Sequence, residues 1–502
     1  MNRINKLAIA TLAAALAFSS AARAEDQPSD KEAAQPASAS SQPAATAQPN
    51  ADQRLQDLEK EVALLQQEIA ALKEDSTPGL KTAALVQPDA APAGIMPNAP
   101  ADEAPKINLA GLLGPVTLSG FGDAYYGYDP NHPYNNQAGL RSFESPTNGF
   151  NFNLAELILD KAPDAMSAEG RLGYHVSAGY GYAAKLINGS DNTGFGDGSN
   201  FFLKEAYLDY IAPVGKGLTI TVGKFVTPMG AEVIESNANW NYSRGLLFNY
   251  AIPLFHFGAN AKYAFNSKWA LTGYLVNGWN NTIINHIGVI GGSSGLTYGA
   301  SLAFTPNAKW SATENYFAGP VLGGYAETTR ASLNDWKQIS DTVIAYTPNT
   351  KWAFQINGDY GFGPRYYPEC DDAVVKPEVF FSCGTPSQAS TWWGVAGYAK
   401  YTLSPKTNFA VRYEYYDDPQ GYTGLVSGDP GWAQEVTGTY SYNLTSALLI
   451  RGEYRYDFAS VPIFFQSLST PSKNDSCSFK CVKEQNTATI SFVYTFSSAN
   501  LK

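Results

Sequence analysis

The chain has 502 residues and a formal net charge of -11; 16% of its residues are charged and 13% are aromatic. Soluble domains carry about 25% charged residues, so this composition favours a protein that exposes aromatic side chains to lipid. The negative charge disfavours a nucleic-acid partner. A mean hydropathy of -0.22 and the lack of a late apolar run of about 18 residues exclude a helical membrane protein. Any membrane span must therefore consist of strands.

The first residues have the pattern of a secretory signal peptide. Arg3 and Lys6 supply a positive start, residues 7–18 form a short apolar core, and Ala-Arg-Ala at 22–24 is a small-x-small cleavage site. The alternative, an uncleaved anchor helix, needs a longer apolar run. We therefore expect export and removal of residues 1–24.

Three segments of different composition follow the signal peptide. Residues 25–50 mix Ala, Ser, Pro and Gln, cannot bury a core, and are predicted to form a disordered tether. Residues 51–75 carry apolar side chains at alternating spacings of three and four, which predicts a short coiled-coil helix. Residues 76–106 are rich in Pro and Ala and are predicted to be a semi-rigid linker.

The predicted coiled coil implies self-association, because an isolated helix of about 20 residues is marginal in water. Val62 and Ile69 at a positions, with Leu at d positions, favour a parallel dimer over a trimer. We expect this helix in the periplasm, where it would make the chain a homo-oligomer and could contact periplasmic or cell-wall partners. A single amphipathic helix lying on the chain's own barrel is the alternative.

Four cysteines lie in two Pro- and Ser-rich segments, Cys370 with Cys383 and Cys477 with Cys481. Export to an oxidising space favours disulfides, and four cysteines allow three connectivities. Closure within each segment is the simplest of them. Metal binding is the weaker interpretation, because the four histidines are scattered and none lies beside a cysteine.

From residue 107 to residue 502 the chain has short runs with alternating apolar and polar residues, joined by connections that are alternately short and long. Residues 448–457 show the alternation clearly, although it is weaker in 310–317 and 336–346. One face of residues 448–457 is apolar or aromatic, and the other carries Arg451, Glu453, Arg455 and Asp457. Arg at the lipid midplane of a barrel costs about 2–4 kcal/mol, so the charged face must line a lumen. The strands of a soluble β-sandwich show a similar alternation. Other features must therefore distinguish a membrane barrel from a soluble sandwich.

Three features favour a membrane barrel. The sequence Asn-x-Lys-Trp recurs at 266–269, 307–310 and 349–352 with an aromatic residue just before each copy, as an interfacial girdle requires. The long connections 362–390 and 458–486 are uncommon inside compact soluble domains. The apolar face of the last alternating run ends with an aromatic residue, Phe496, near the C-terminus, as fits the final strand of a barrel. We therefore predict an all-β transmembrane antiparallel barrel of about sixteen strands, which leaves room for an aqueous channel.

The same region resembles a known family over roughly residues 116–496. The resemblance rests on Phe-Gly-Asp-Ala-Tyr-Tyr at 121–126, Asn-Leu-Ala-Glu at 153–156, Lys-Glu-Ala-Tyr-Leu-Asp-Tyr at 204–210, and Gly-Lys-Phe followed by Pro-Met-Gly-Ala-Glu within 223–232. In these residues the chain resembles the OmpL-like β-barrel porins of bacterial outer membranes. The resemblance implies a passive outer-membrane channel whose external loop after the fifth strand, here 226–252, folds toward the lumen. The N-terminal extension and the six residues after Phe496 depart from the simplest porins.

The pore-lining and constriction candidates are charged residues on the inward loop and on the inward strand faces. The loop candidates are Glu232, Glu235 and Arg244, and the strand candidates are Arg171, Lys262, Asp359, Arg412, Glu414, Arg451, Glu453, Arg455 and Asp457. Charged rings in a pore filter ions by sign. The alternative is that neighbouring opposite charges only brace the wall.

The chain has neither a His-Glu-x-x-His motif nor a P-loop, so we expect no enzyme, no cofactor and no bound metal. The expected partners are outer-membrane lipid and small polar solutes or ions. Passive diffusion of such solutes is the leading hypothesis. A structural tether, in which the barrel only anchors the coiled coil, is the rival hypothesis. The solute, its charge, the pore radius and the disulfide connectivity do not follow from these patterns.

Overall fold

The computed structural model describes residues 116–166, 169–189, 199–284, 295–321, 336–363, 389–426, 430–466 and 481–498. All of them belong to the compact unit Thr82–Lys502. The predicted signal peptide, tether, coiled coil and linker lie outside the described residues, as do Cys370, Cys383 and Cys477. Among the described residues, no helix has the length and apolar character needed to cross a membrane.

Sixteen strands of the described chain form one closed antiparallel barrel, as predicted. They are β1 (Thr117–Tyr128), β2 (Gly149–Lys161), β3 (Leu172–Tyr180), β4 (Phe201–Ala212), β5 (Leu218–Val226), β6 (Phe255–Ala264), β7 (Trp269–Val276), β8 (Thr297–Asn307), β9 (Trp310–Pro320), β10 (Trp336–Tyr346), β11 (Trp352–Gly363), β12 (Ser390–Ser404), β13 (Thr407–Asp418), β14 (Gly431–Asn443), β15 (Leu448–Ala459) and β18 (Glu484–Ser497). Each strand pairs with the next along the chain, and β18 closes the barrel by pairing with both β15 and β1.

Short elements lie between the barrel strands. Strands β16 (Phe464–Phe465) and β17 (Cys481–Val482) form a separate two-stranded ribbon in the last loop. Helix α1 (Tyr182–Gly189) follows β3, a 3-10 turn spans Glu169–Arg171, and a π-helical turn spans Leu247–Ala251. Cys481 thus begins β17, and its predicted pairing with Cys477 stays a prediction.

The alternation in the sequence becomes an apolar exterior and a polar lumen. In β18, Ile490, Phe492 and Tyr494 are 51%, 43% and 54% exposed on the outer face, whereas the intervening Ser491 and Val493 are fully buried. Period-two alternation gives this result because successive side chains of a strand point to opposite faces. Closure leaves no unpaired strand edge, which hydrocarbon would not tolerate.

The repeated Asn-x-Lys-Trp segments form the short turns at one end of the barrel, which we call the turn end. Asn266 and Asn349 each accept hydrogen bonds through Oδ1 from the backbone N–H of the following Lys and Trp. Trp269 and Trp310 each stack on an aromatic ring of the neighbouring strand, and Trp352 packs in a tilted arrangement against Tyr401, with ring centroids 4.6 Å apart. The ring centroids are 4.1 Å apart for Trp269 with Phe304 and for Trp310 with Tyr346. Exposed aromatic rings thus lie together at this end of the barrel, and their role as an interfacial girdle stays a prediction.

The carboxylate of Glu314 lies among apolar side chains on the exterior of the barrel. Glu314 of β9 is in register with Leu302 of β8 and Thr342 of β10, whose side chains share the outer face. Its carboxylate accepts hydrogen bonds from Ser340 Oγ at 2.6 Å and from Thr342 Oγ1. These hydroxyls replace the water that a carboxylate would otherwise bind. The polar group also explains why the alternation is weak in β9 and β10.

Removing both hydroxyls, by Ser340→Ala with Thr342→Val, is expected to lower the free energy of unfolding by about 1–3 kcal/mol, because Glu314 is left without donors in lipid. Urea unfolding in lipid vesicles, followed by tryptophan fluorescence, measures the difference. Adding Glu314→Leu should restore stability, since no unsatisfied polar group then remains. Equal stability of the double variant and the wild type would contradict the assignment of these hydroxyls.

Candidate functional site

The loop between β5 and β6, residues 227–254, lies inside the barrel, and we call it the crossing loop. Its side chains and backbone groups bond to inward residues of β1, β4, β10, β11 and β13 to β15. The inward fold that the resemblance implied for 226–252 is therefore confirmed. Because its contacts lie around most of the circumference, the loop narrows the lumen from several sides.

The start of the crossing loop is bound to the wall at β10 and β11. Gly230 N–H donates to Asp341 Oδ1 and Ala231 N–H donates to Asn357 Oδ1, both at 3.1 Å. Asn315 and Asn357 also donate their side-chain N–H groups to Asp341, each at 2.7 Å. Gly230 has a φ of 88°, in the left-handed region that favours glycine. A Cβ at this position would also lie only 2.7 Å from Cδ1 of Ile252.

The centre of the crossing loop is held by Arg412 of β13. Its guanidinium pairs with Glu232 of the loop at 2.5 Å and with Glu435 of β14 at 2.6 Å. It also donates to the carbonyl oxygen of Ser243 at 2.5 Å. All three charged side chains are buried, so each depends on its partners for stabilisation. Arg455 of β15 extends the network by donating to the carbonyl of the loop at residue 244.

The opposite side of the crossing loop meets β1, β4 and β15. Lys204 of β4 pairs with Glu235 of the loop, and with Glu156 of β2 at 2.5 Å. Arg451 donates to the loop carbonyls of residues 236 and 239 at 2.5 and 2.7 Å. Glu453 accepts the backbone N–H groups of residues 242 and 243 at 2.6 and 3.0 Å. The loop is thus braced by cations and carboxylates from facing parts of the wall.

The first loop, residues 129–148, also folds inward and supports the crossing loop. Glu144 pairs with Arg244, and Arg141 pairs with Asp457 of β15 at 3.0 Å. The ring of Phe143 faces the Arg244 guanidinium, with Cζ of Arg244 5.0 Å from the ring centroid. Burial raises the pKa of Glu144, and the adjacent positive charge of Arg244 opposes that rise. The ion pair therefore offsets part of the cost of burying this carboxylate.

The structure brings most of the predicted charged candidates into one buried network. Its members are Glu232, Glu235 and Arg244 on the crossing loop and Arg412, Glu414, Arg451, Glu453, Arg455 and Asp457 on the wall. Apart from the partly exposed Glu235, these side chains are buried. Wall bracing, the alternative interpretation, accounts for their contacts. A role in selecting ions stays a prediction.

Three candidates lie elsewhere. Asp359 is buried on β11 beside Asn357, which donates to it at 3.3 Å. Lys262 is exposed on the inward face of β6, in register with Thr219 and Thr272. The sequence interpretation placed Arg171 within a strand, and this was wrong. Strand β3 begins one residue later, and Arg171 ends the 3-10 turn and donates to the carbonyl of residue 211 at 3.0 Å.

The alternation rule missed Lys204. The register between β3 and β4 shifts between Ser177 and Ala178, which marks a β-bulge. The bulge allows Lys204 and Glu205, although adjacent in sequence, both to reach the inward cluster, where their charged atoms are 3.5 Å apart. Glu144 and Arg141 were also missed, because loop residues carry no periodic signal. In the part of the chain that the structure describes, no group of three or more metal-binding side chains occurs.

A closed sixteen-strand barrel with an apolar exterior, crossed by an inward loop, is the architecture of an outer-membrane porin. The sequence profile of the family described as "Putative beta-barrel porin-2, OmpL-like" matches residues 115–496. The chain belongs to this family, and it is an outer-membrane β-barrel protein.

Several solved porin structures are similar to the chain. An anion-selective porin from Comamonas acidovorans is 11% identical with a TM-score of 0.46, covering 76% of this chain and 99% of that one. The outer membrane channel DcaP of Acinetobacter baumannii is 12% identical with a TM-score of 0.47, covering 76% and 97%. OmpF of Salmonella typhi is 11% identical with a TM-score of 0.44, covering 76% and 97%. No curated protein sequence matches the chain.

Proposed function

We propose that the barrel is a water-filled channel through which small hydrophilic solutes or ions cross the outer membrane by passive diffusion. The crossing loop, braced inside a closed barrel by buried ion pairs, is the observation that carries this proposal. A barrel that served only as an anchor would need neither this width nor a loop fixed in its lumen. Family membership supports the same function.

The proposed route runs along the inward faces of β2 to β6 near the turn end, where side chains stay accessible. Asp160 is 42% exposed and lies 2.9 Å from His175, which also contacts Glu205 at 3.4 Å. Lys262 is exposed on the same wall. These groups give the route charges of both signs, and the buried network beside it keeps the crossing loop in place.

Swelling of proteoliposomes tests the proposal. Vesicles containing the full-length chain should swell in arabinose and glucose, and more slowly in sucrose and raffinose, because the crossing loop restricts the lumen. Asp341→Ala, which removes the acceptor of Gly230 N–H, should raise the rate for the larger sugars. Protein-free vesicles and vesicles with heat-denatured protein are the controls. Swelling no faster than in these controls would overturn the proposal.

Nothing in the described residues favours the tether hypothesis. The coiled coil at 51–75, its periplasmic position, homo-oligomerisation through it and its cell-wall contacts stay predictions, because those residues lie outside the described part of the chain.

A further inference from the structure

Lys337 of β10 extends into a group of aromatic rings, which we call the lysine cage. Its Nζ lies 3.8 Å from the ring centroid of Trp279, 5.3 Å from that of Tyr422 and 5.4 Å from that of Trp392. Lys337 is in register with Gly319 and shares the inward face with Asp341. The ammonium therefore faces the lumen, near the end of the barrel opposite the short turns.

The cage is held in place by several elements. Trp279 follows β7, Trp392 lies in β12 and Tyr422 follows β13. Trp392 is fully buried, and its Nε1–H donates to the carbonyl of Ala251 in the crossing loop at 3.2 Å. A Cβ on Gly361 would lie 2.0 Å from the Trp392 ring, so only glycine leaves space for it. The rings are thus positioned before any solute arrives.

Lys337 differs from the cations of the bracing network. Lys204 and Arg412 each contact carboxylates. Among the ion pairs of the described residues, none includes Lys337. Aromatic faces stabilise a desolvated ammonium, but the rings themselves supply no negative charge to pair with it. A partly buried cation attracts an anion more strongly than a fully hydrated one, because less water screens the pair.

We propose that the lysine cage binds anionic solutes in which a carboxylate is attached to a flat apolar body. The carboxylate would pair with the ammonium of Lys337, and the apolar body would pack against Tyr422 and the small accessible edge of Trp279, while the fully buried Trp392 supports these rings from behind. Aromatic rings prefer such edge contacts over face-to-face stacking. The inference rests on the proposed channel function and names a class of solute for it.

Single-channel recording with sodium benzoate as the probe tests the inference. Benzoate should interrupt the wild-type current in a concentration-dependent way, whereas acetate at equal ionic strength should not. Lys337→Gln should raise the half-blocking concentration about tenfold, which corresponds to about 1.4 kcal/mol. Lys262→Gln is the matched control, because it removes an exposed lumenal lysine for which no ring contact occurs among the described residues. It should leave the block unchanged.

A second variant separates the ring from the charge. Trp279→Leu keeps the ammonium and should reduce the preference for benzoate over acetate without removing the response to anions. Each variant is first checked for heat-modifiable gel mobility, which reports a folded barrel. Equal block of wild type and Lys337→Gln, or an equal loss in Lys262→Gln, would overturn the inference. Current steps without any benzoate block would also overturn it while leaving the channel intact, whereas a sealed bilayer would refute the channel itself.

Discussion

Arg412→Met is expected to lower the free energy of unfolding by about 3–5 kcal/mol, the usual cost of removing one partner from a buried ion pair. Glu232 and Glu435 would both remain buried without the guanidinium that they contact at 2.5 and 2.6 Å. The crossing loop would also lose the bond from Arg412 to the Ser243 carbonyl. Equilibrium urea unfolding in lipid vesicles, followed by tryptophan fluorescence, measures the effect.

Two further variants control this prediction. Lys262→Met removes an exposed lumenal cation that has no ion pair among the described residues, and it should change the free energy of unfolding by less than about 0.5 kcal/mol. Combining Arg412→Met with Glu232→Gln and Glu435→Gln should recover most of the loss, because no buried carboxylate is then left unpaired. If Arg412→Met were no more destabilising than Lys262→Met, the bracing role of Arg412 would be wrong.

Ile356→Arg is expected to destabilise the barrel by about 2–4 kcal/mol, the cost of a lipid-facing Arg near the bilayer midplane. Ile356 is 55% exposed on the outer face of β11. The adjacent Gln355 points into the lumen, so Gln355→Arg should cost less than about 1 kcal/mol. The same unfolding experiment compares these neighbours. Equal costs, or a larger cost at Gln355, would show that the two faces are assigned wrongly.

The barrel itself could be predicted because its signal is local. A strand such as β15 shows its two faces within a dozen residues, and the turns repeat the same Asn-x-Lys-Trp sequence. Closure follows from the same local signal, because each strand pairs with its sequence neighbour. The position of the inward loop needed the family resemblance, since residues 227–254 contain no periodic pattern.

Which of the charged residues are buried could not be predicted. Alternation assigns a side chain to the inward or outward face of a strand, but it does not show whether a loop covers that face. Arg451 and Arg455 were correctly placed on the inward face, yet both are buried under the crossing loop. The pair of Arg141 with Asp457 joins residues far apart in sequence, which no local pattern records. Whether an inward charged side chain contacts water therefore depends on how the loops fill the assembled lumen.

Exceptions to the alternation have specific physical causes. A bulge brings Lys204 to the inward cluster beside Glu205, and hydroxyls on the neighbouring strand allow Glu314 to lie on the outer face. At Arg171 the predicted start of β3 was one residue too early, because the 3-10 turn ends at Arg171 and the strand begins at the next residue. Each exception involves a partner on another strand or a change of register.

Single-channel recording in planar bilayers tests most directly whether this barrel encloses a continuous aqueous path. We expect the refolded full-length chain to give discrete current steps of uniform size at protein concentrations where gel mobility shows folded barrels. A bilayer that stays sealed under those conditions, with the protein inserted and folded, would contradict the channel and leave the crossing loop as a plug.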